Sequence, residues 1–580
     1  MARPLQEREI ARLTGEPKTP FAPGSNLKGT VGGANWCFLL PSLELGRIAC
    51  LGRVSTSALA TLARLGDEVT VCAPAGELRR IRNRVSRDAL PAVSLLEVDR
   101  PDRVPLPDAS VDLVVVGRLP RLRAVPRSRL QREARRLLKP DGLVYLELTS
   151  LVAGLGASSA TRAGGSLGDA AVFWLAPASG EVRAAAPLHD LRAIGYLERR
   201  LQRRLLLRKL LRRPRRVLAR HLAVRRIVHR RGALLGPPGE RLTPGPPRYL
   251  RDVAAGAGVE LDESGWALAA PGEYPSQKVL VFLFGAEGDA PQSVVKITRD
   301  ASLNPRLENE WRALTLLRDG GIGADDTLPR PQFFGLHAGL AVLAESAING
   351  ERFSERTRAT ADCPYARAAV EWLLDLGTTT APGTGADAPG ALSKLEPLFE
   401  RFSQIYRLGA AEEDFLRVRV AALAPGRDGL PLVFQHGDPG PWNVLITPDG
   451  RPAFLDWEAA EPLGMPLWDL FHFLRSYGVV VSRAAGTRDP LRSFAEQYLD
   501  DSILSRLLAK TARRFCHRTG LAPDLVEPLF YVCWIQRALK EAATRPSHEL
   551  EGGRYINVLR MAIARRDAPG LRRLFSPDDS

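Results

Sequence analysis

The stretch Val433–Leu445, VFQHGDPGPWNVL, followed nine residues on by Phe454–Glu458, FLDWE, decides how this chain is read. An apolar run leads into His436-Gly437-Asp438. Asn443 comes five residues after Asp438, and Asp456 ends a second short apolar run. Two carboxylates and one amide, at strand ends or in tight loops, are the set that Mg-dependent phosphoryl transfer requires. One carboxylate orients the attacking hydroxyl and accepts its proton; the amide and the other carboxylate hold Mg²⁺ against the nucleotide phosphates. Taken singly, Asp438 and Asn443 around Pro439-Gly440-Pro441 would serve equally well as turn formers. Their recurrence at the edges of a loop between two hydrophobic runs favours chemistry.

The bulk composition sets the frame. At 580 residues the chain exceeds one ordinary core, so two or three domains are expected. Hydrophobic content of 45% and charged content of 25% are those of a globular protein. The cysteines at 37, 50, 72, 363, 516 and 533 show no C-x-x-C and no metal-ligand spacing. Buried thiols in a reducing cytosol are therefore expected, not a disulfide framework. The opening MARPLQEREIARLTGEPKTP has no apolar core of signal-peptide type, and no apolar run approaches the roughly 18 residues of a membrane span. The expected location is cytoplasmic.

Residues 1–44 are irregular, with a short apolar piece, NWCFLLP (Asn35–Pro41), suited to packing on a neighbouring domain. A βα alternation then spans 45–195. Arg47–Leu51, Glu68–Ala73, Val93–Val98, Asp112–Val116 and Leu143–Leu148 read as strands, with helices at Ser57–Leu65 and Ser128–Leu138. That spacing predicts a doubly wound parallel sheet, closed by a hairpin over Ala170–Pro187. The segments VPLPDASVDLVVV (Val104–Val116) and LQREARRLLKPDGLVYLEL (Leu130–Leu148) resemble the class I S-adenosylmethionine-dependent methyltransferases. The resemblance implies a Gly-rich loop after the first strand and an acid at the end of the second, for the cofactor's ribose. Here the loop, Leu51–Ser57, has one glycine, and Cys72-Ala73-Pro74 stands where the acid belongs. A charge-assisted contact worth about 1.5–3 kcal/mol is missing. A fold-retaining, structural or partner-binding domain is the favoured reading, and S-adenosylmethionine binding the disfavoured one.

Between Arg199 and Arg231 stand fifteen arginines and lysines and no acid, nearly the whole net charge of +16. The basicity is local. Leucines interleave with the arginines on either side of Pro214, a pattern of two short basic amphipathic helices. Three occupations compete: a solvated helix pair packed on the protein, an anionic membrane surface at which each cation contributes about 1 kcal/mol, and nucleic acid. The last is disfavoured, since no aromatic stacking residues accompany the arginines. Pro/Gly-rich Gly236–Pro247 ends this 196–246 connection.

From 247 to 350 the chain reads as a β-rich lobe, with strands at Trp266–Ala269, Gln277–Gly285, Gln292–Thr298 and Leu340–Ser346; from 351 to 580 it reads as helical. Lys296 sits in an apolar strand and needs an anionic partner. The combined pattern H-G-D-x4-N and D-x-E resembles the aminoglycoside phosphotransferase and choline kinase family, relatives of the protein kinases, over about residues 247–560. The resemblance implies an α+β bilobal kinase-like fold and an ATP- and Mg²⁺-dependent transfer to a hydroxyl. It makes Asp438 the catalytic base, Asn443 and Asp456 the Mg²⁺ ligands, and Lys296 the phosphate-binding cation. Glu310, or failing it Glu308, would orient Lys296, and Ser276 would lie in the phosphate-covering loop. His436 and Asp469 would brace the catalytic loop. The acceptor pocket would lie among the helices after Asp456, where Glu461 and Glu541 are acids to watch. HGD and DWE, in place of the protein-kinase HRD and DFG, point to a small-molecule or glycan-type acceptor. Two other readings stand beside it: a non-catalytic scaffold, a degenerate methyltransferase fused to a pseudokinase that docks on a membrane or partner, and a bifunctional kinase–methyltransferase of surface polysaccharide synthesis at the inner membrane face.

Overall fold

The computed structural model describes residues 34–576 except 85–92, 101, 118–126, 149–169, 178–180, 206–229, 238–241, 243–244, 262–264, 272–277, 324–325, 357–358, 382–392, 394, 424–429 and 544. It divides into a sheet unit, Leu27–Leu307 with Pro331–Ala347, and a helical unit, Glu308–Arg330 with Ile348–Ser580.

The sheet unit holds one 13-stranded sheet. Its strands are β1 (Arg47–Leu51), β2 (Glu68–Ala73), β3 (Val93–Glu97), β4 (Val111–Val116), β5 (Leu138–Leu148), β6 (Ala171–Ala176), β7 (Ala184–Pro187), β8 (Arg230–Leu235), β9 (Gly265–Ala269), β10 (Val279–Phe284), β11 (Ser293–Ile297), β12 (Pro331–His337) and β13 (Leu340–Ser346). Their order is β12-β13-β11-β10-β9-β7-β6-β8-β5-β4-β1-β2-β3. The block β3-β2-β1-β4-β5 is parallel throughout. VDLVVV and EVTVCA, apolar at nearly every position, are buried on both faces as strands of a parallel sheet must be. The crossovers include α1 (Thr56–Leu65), whose N-cap Ser55 accepts a hydrogen bond from Ala58 N–H at 3.1 Å, α2 (Ala75–Arg84) and α3 (Arg127–Leu137). Glu133 of α3 accepts from the Val104 N–H at 2.7 Å and from Arg136, so the two segments that carry the methyltransferase resemblance are bound to each other.

From β5 onward every pairing is antiparallel, and the sheet does not stop at the first domain. β7 pairs with β9, Ala184 opposite Ala269 and Ala185 opposite Leu268, and the Ala270 N–H donates to the Arg183 carbonyl at 2.8 Å. The β-rich lobe of the second domain thus continues the sheet of the first. β8 corrects the sequence reading, which ran the basic helices to Arg231. Arg230–Leu235 is instead a strand between β5 and β6. Gly232 admits it, since a Cβ there would meet Leu175 Cδ1 at 2.8 Å. Helix α4 (Leu191–Leu205) takes up the start of the basic segment; residues 206–229 lie outside the described residues. Asn35–Leu39 is a buried 3₁₀ turn lying along the sheet. Trp36 stacks on Tyr145 of β5 at 3.8 Å, and the Phe38 carbonyl accepts from Tyr249 in α5 (Arg248–Gly256).

The helical unit packs α7 (Pro364–Thr380), α8 (Leu395–Ile405), α9 (Ala410–Ala422), α10 (Trp468–Ala484), α11 (Ile503–Thr519), α12 (Val526–Ala542), α13 (Arg554–Ala564) and α14 (Pro569–Phe575) around one core; α6 (Asn304–Asp319) lies before them in the chain. Short strands β14 (Glu351–Arg352), β15 (Val433–Gln435), β16 (Val444–Ile446), β17 (Pro452–Phe454) and β18 (Glu461–Gly464) lie among them. All six cysteines are buried and unbridged. Among the described residues no helix is long and apolar enough to cross a membrane.

Candidate active site

β15 ends at Gln435 and delivers His436-Gly437-Asp438 into a loop that the fold holds from below. Gly437 has φ +77°, and a Cβ there would stand 1.9 Å from the Ala459 carbonyl oxygen, so only glycine fits. Asp469, in the first turn of α10, accepts from the His436 N–H at 2.6 Å and the Gly437 N–H at 3.0 Å. It braces the loop as the sequence suggested. The His436 ring, fully buried, bridges to the Leu455 carbonyl at 3.0 Å and lies 4.4 Å from the Trp457 ring.

Asp438 emerges half-exposed, with both carboxylate oxygens engaged. Oδ1 accepts from His472 Nε2 at 3.0 Å, with the Arg537 guanidinium 3.6 Å away. Oδ2 accepts from Trp442 Nε1 and from Asn443 Nδ2, both at 3.3 Å. Burial opposes ionisation of this carboxyl, but the His472 hydrogen bond and the charge of Arg537 outweigh it and hold Asp438 well below the ordinary carboxylate range. Burial first, then the charge of Arg537, pushes His472 down to about 3. His472 is therefore neutral near pH 7 and donates its Nε2–H to the carboxylate, which can only accept.

Asn443 and Asp456 come together through the β16–β17 hairpin. Val444 faces Phe454, and one step out the Leu455 N–H donates to the Asn443 carbonyl at 2.8 Å, so Asp456 sits beside Asn443 at the mouth of the hairpin. The Asn443 amide nitrogen donates to the Asp438 carbonyl at 2.9 Å, which leaves its oxygen as the outward acceptor. Asp456 has φ +70°, a left-handed conformation that Asp tolerates better than most residues and that recurs at functional sites. The hairpin thus brings a carboxylate residue and an amide residue to neighbouring backbone positions, and both are hard-oxygen groups.

The other expected residues fall as follows. Lys296 in β11 is 6% exposed, and its Nζ lies 2.7 Å from Glu345 Oε1 in β13. The register puts Lys296 opposite Leu343 and Val294 opposite Glu345, so the pair is a same-face diagonal. Glu310 in α6 is fully buried and accepts from the Trp457 N–H at 2.9 Å, next to Asp456 in the chain. Ser276 lies outside the described residues. Glu541 is held by Arg545 and by the Tyr555 N–H, both at 3.0 Å. Breaking a buried ion pair costs about 3–5 kcal/mol. Lys296→Met is accordingly expected to lower the melting temperature, and Glu345→Leu in the same chain to restore most of it; a double mutant no more stable than Lys296→Met would exclude this pairing.

Sequence reasoning missed Glu345, His472, Trp442 and Arg537. Asp469, His472 and Arg475 are spaced i, i+3, i+6 on α10, a stripe that helical periodicity reveals once the helix is placed. Arg537 donates to the Gly437 carbonyl at 2.9 Å from 100 residues away, with nothing in the local sequence to announce it.

At the β1/β4 switch point of the parallel sheet, where such folds bind ligands, the chains leaving the two strands approach each other closely. The Gly117 N–H donates to the Leu51 carbonyl at 3.0 Å, and a Cβ on Gly117 would stand 2.2 Å from the Arg53 carbonyl oxygen. β2 ends in buried Cys72 and Ala73, with no carboxylate for a ribose.

Residues 277–517 match the model of the phosphotransferase enzyme family, and residues 48–146 match that of a methyltransferase domain. The chain therefore joins a methyltransferase-like α/β domain to a C-terminal region that matches the phosphotransferase family model and has a kinase-like fold. No curated protein matches it. Among solved structures, an aminoglycoside phosphotransferase of Streptomyces rimosus, in complex with ADP and streptomycin, is 17% identical over 42% of this chain and 85% of its own, with a TM-score of 0.28. A choline kinase of Streptococcus pneumoniae is 18% identical over 51% of this chain and 92% of its own, with a TM-score of 0.28. A methyltransferase candidate of Pseudomonas syringae is 23% identical over 18% of this chain and 65% of its own, less than two thirds of that length, with a TM-score of 0.16.

Proposed function

We propose that this protein transfers the γ-phosphate of ATP to a hydroxyl of a small-molecule or glycan-type acceptor. The observation that carries the reading is Asp438, an ionised carboxylate gripped by His472, Trp442 and Asn443 at the hairpin that carries Asn443 and Asp456. Asp438 orients the acceptor hydroxyl and takes its proton as the new O–P bond forms and the bond from the γ-phosphorus to the β–γ bridging oxygen breaks, releasing ADP. His472 and Arg537 fix the carboxylate's direction, so that little reorganisation is needed at the reacting atoms. Asn443 and Asp456 would hold Mg²⁺, which supplies positive charge against the phosphate oxygens. Lys296 would meet the nucleotide phosphates, its direction set by Glu345 and, as the family pattern implies, by Glu310. The strand Leu340–Ser346 would offer backbone groups to the adenine edge.

The residues at the β1/β4 end of the sheet do not fit S-adenosylmethionine, and no methyl-transfer step is derived. The first domain serves this reading as scaffold. Anionic membrane remains a partner for the basic segment, whose centre lies outside the described residues.

The test compares thermal unfolding of wild type and Asp456→Ala with Mg-ATP, with S-adenosylmethionine and with neither. Mg-ATP at about 100 times its Kd adds roughly 2.7 kcal/mol of stability. That shift is expected in wild type and lost in the variant. No Mg-ATP shift in wild type would favour the scaffold reading, and a shift with S-adenosylmethionine would reinstate the first domain as a cofactor site.

A further inference from the structure

Next to Asp438 lies a group of buried hydrogen-bond donors with nothing to donate to. Arg475, one turn beyond His472 on α10, is 4% exposed, and among the described residues its Nε and Nη2 have no hydrogen-bond partner. The same holds for Arg537 Nε and Trp534 Nε1, on one face of α12. Arg475, Trp534 and His472 surround one ring, while Arg537 lies beside Asp438. Tyr555, at the start of α13, has the Arg475 guanidinium 5.2 Å from its centroid, Trp534 stacked at 6.2 Å and His472 at 6.3 Å. Tyr555 is partly exposed, exposed Arg554 lies 6.0 Å from it, and Trp442, 60% exposed, stands edge-on to His472 at 5.9 Å. The cluster thus opens to solvent at the oxygen atoms of Asp438.

Guanidinium and indole N–H groups can only donate, and leaving such donors buried and unmet is costly. An acid built into the fold would be the ordinary remedy. The nearby acids are otherwise committed: Asp438 to its three donors and the Arg537 charge, Asp469 to the loop amides, and Glu541 to Arg545 and the Tyr555 amide. Glu461 faces Lys540, the residue one turn beyond Arg537. A cationic acceptor would add charge to a place that already has too much of it.

The geometry points to an acceptor that carries an anionic group, a phosphate or carboxylate, seated on Arg475 and Arg537 with its hydroxyl at Asp438. This deepens the phosphotransferase reading and rests on it. It distinguishes the site from one that takes aminated sugars or quaternary ammonium compounds.

Two measurements test it together. The first titrates inorganic phosphate against thermal unfolding in wild type, Arg475→Met and Lys296→Met. A saturable upward shift should survive Lys296→Met and vanish in Arg475→Met. Arg475→Met should also melt at or above wild type in phosphate-free buffer, because an unmet buried cation has been removed; a side chain needed for packing would move the other way. If Arg475→Met does not fold, Arg475→Lys takes its place and should weaken phosphate at least tenfold, since a point charge cannot present the guanidinium fork. The second measures ATP turnover with glycerate and glucose 6-phosphate against choline and streptomycin. Acceptance of the anionic compounds is expected, with acceptor KM raised roughly 10- to 100-fold in Arg475→Met and ATP KM unchanged. A phosphate shift lost only in Lys296→Met, no saturable shift at all, or turnover confined to the cationic acceptors would overturn the inference. That last outcome leaves the phosphotransferase reading standing. Absence of any Mg-ATP shift removes that reading instead, while the phosphate titration still decides the anion site.

Discussion

Asp438→Asn is expected to lower phosphotransfer by roughly 10²- to 10⁴-fold while leaving the Mg-ATP thermal shift in place. An amide cannot take the acceptor's proton. It also cannot replace the carboxylate in its surroundings. Both oxygens of Asp438 meet donors, His472 and Arg537 on one side, Trp442 and Asn443 on the other. Whichever way the substituted amide turns, its NH₂ faces a donor, so one group is left unmet at about 1–3 kcal/mol. The pH dependence has a definite sign. Asp438 titrates below the ordinary carboxylate range in the folded protein, because the His472 hydrogen bond and the Arg537 charge outweigh burial. Its ionised form therefore stabilises the fold above the unfolded-state pKa near 4, and this contribution fades as the pH falls toward the lower folded value. The melting temperature of wild type should fall more steeply below about pH 4 than that of the Asn variant. Turnover within tenfold of wild type in Asp438→Asn would rule out its role as base.

The second large effect concerns the sheet. A fragment beginning at residue 247 holds every residue of the phosphotransferase-like region, yet it is expected to aggregate and to show no Mg-ATP shift. Removing the first domain takes β7 from the edge of β9 and exposes its row of backbone groups. It also uncovers Trp266, Phe282 and Phe284, now at most 3% exposed and covered in part by Phe173 and by Tyr196 of α4. At about 1.5–3 kcal/mol for each large side chain bared, these three alone approach the ~5–15 kcal/mol by which a domain is stable. A monomeric 247–580 fragment that unfolds cooperatively and keeps the wild-type Mg-ATP shift would refute this dependence.

Much of the site was legible because its residues are close in sequence. HGD-x4-N and LDWE lie within one hairpin system, and the Gly437 turn, the Asn443–Leu455 pairing and the Asp456 conformation all follow from local chain geometry. The strands of the parallel block were equally legible, since burial on both faces demands the mostly apolar runs seen in VDLVVV and EVTVCA. The strand at Arg230–Leu235 was not. Its first residues belong to a charge run that reads as helix, and its place depends on a gap between β5 and β6 that no local pattern encodes.

The sequence by itself therefore determined the two kinds of domain, the grouping of Asp438, Asn443 and Asp456 on one loop and hairpin, and the absence of an acid at the end of β2. Periodicity and short-range spacing are enough for these, because each rests on contacts within a few residues of chain. Only the tertiary structure decided the rest: that one sheet runs through both domains, that Glu345 meets Lys296, and that Arg475, Arg537 and His472 converge beside Asp438. Those contacts join residues far apart along the chain, or across adjacent strands and helices, and they exist only when the packing of whole elements brings the charges to one place.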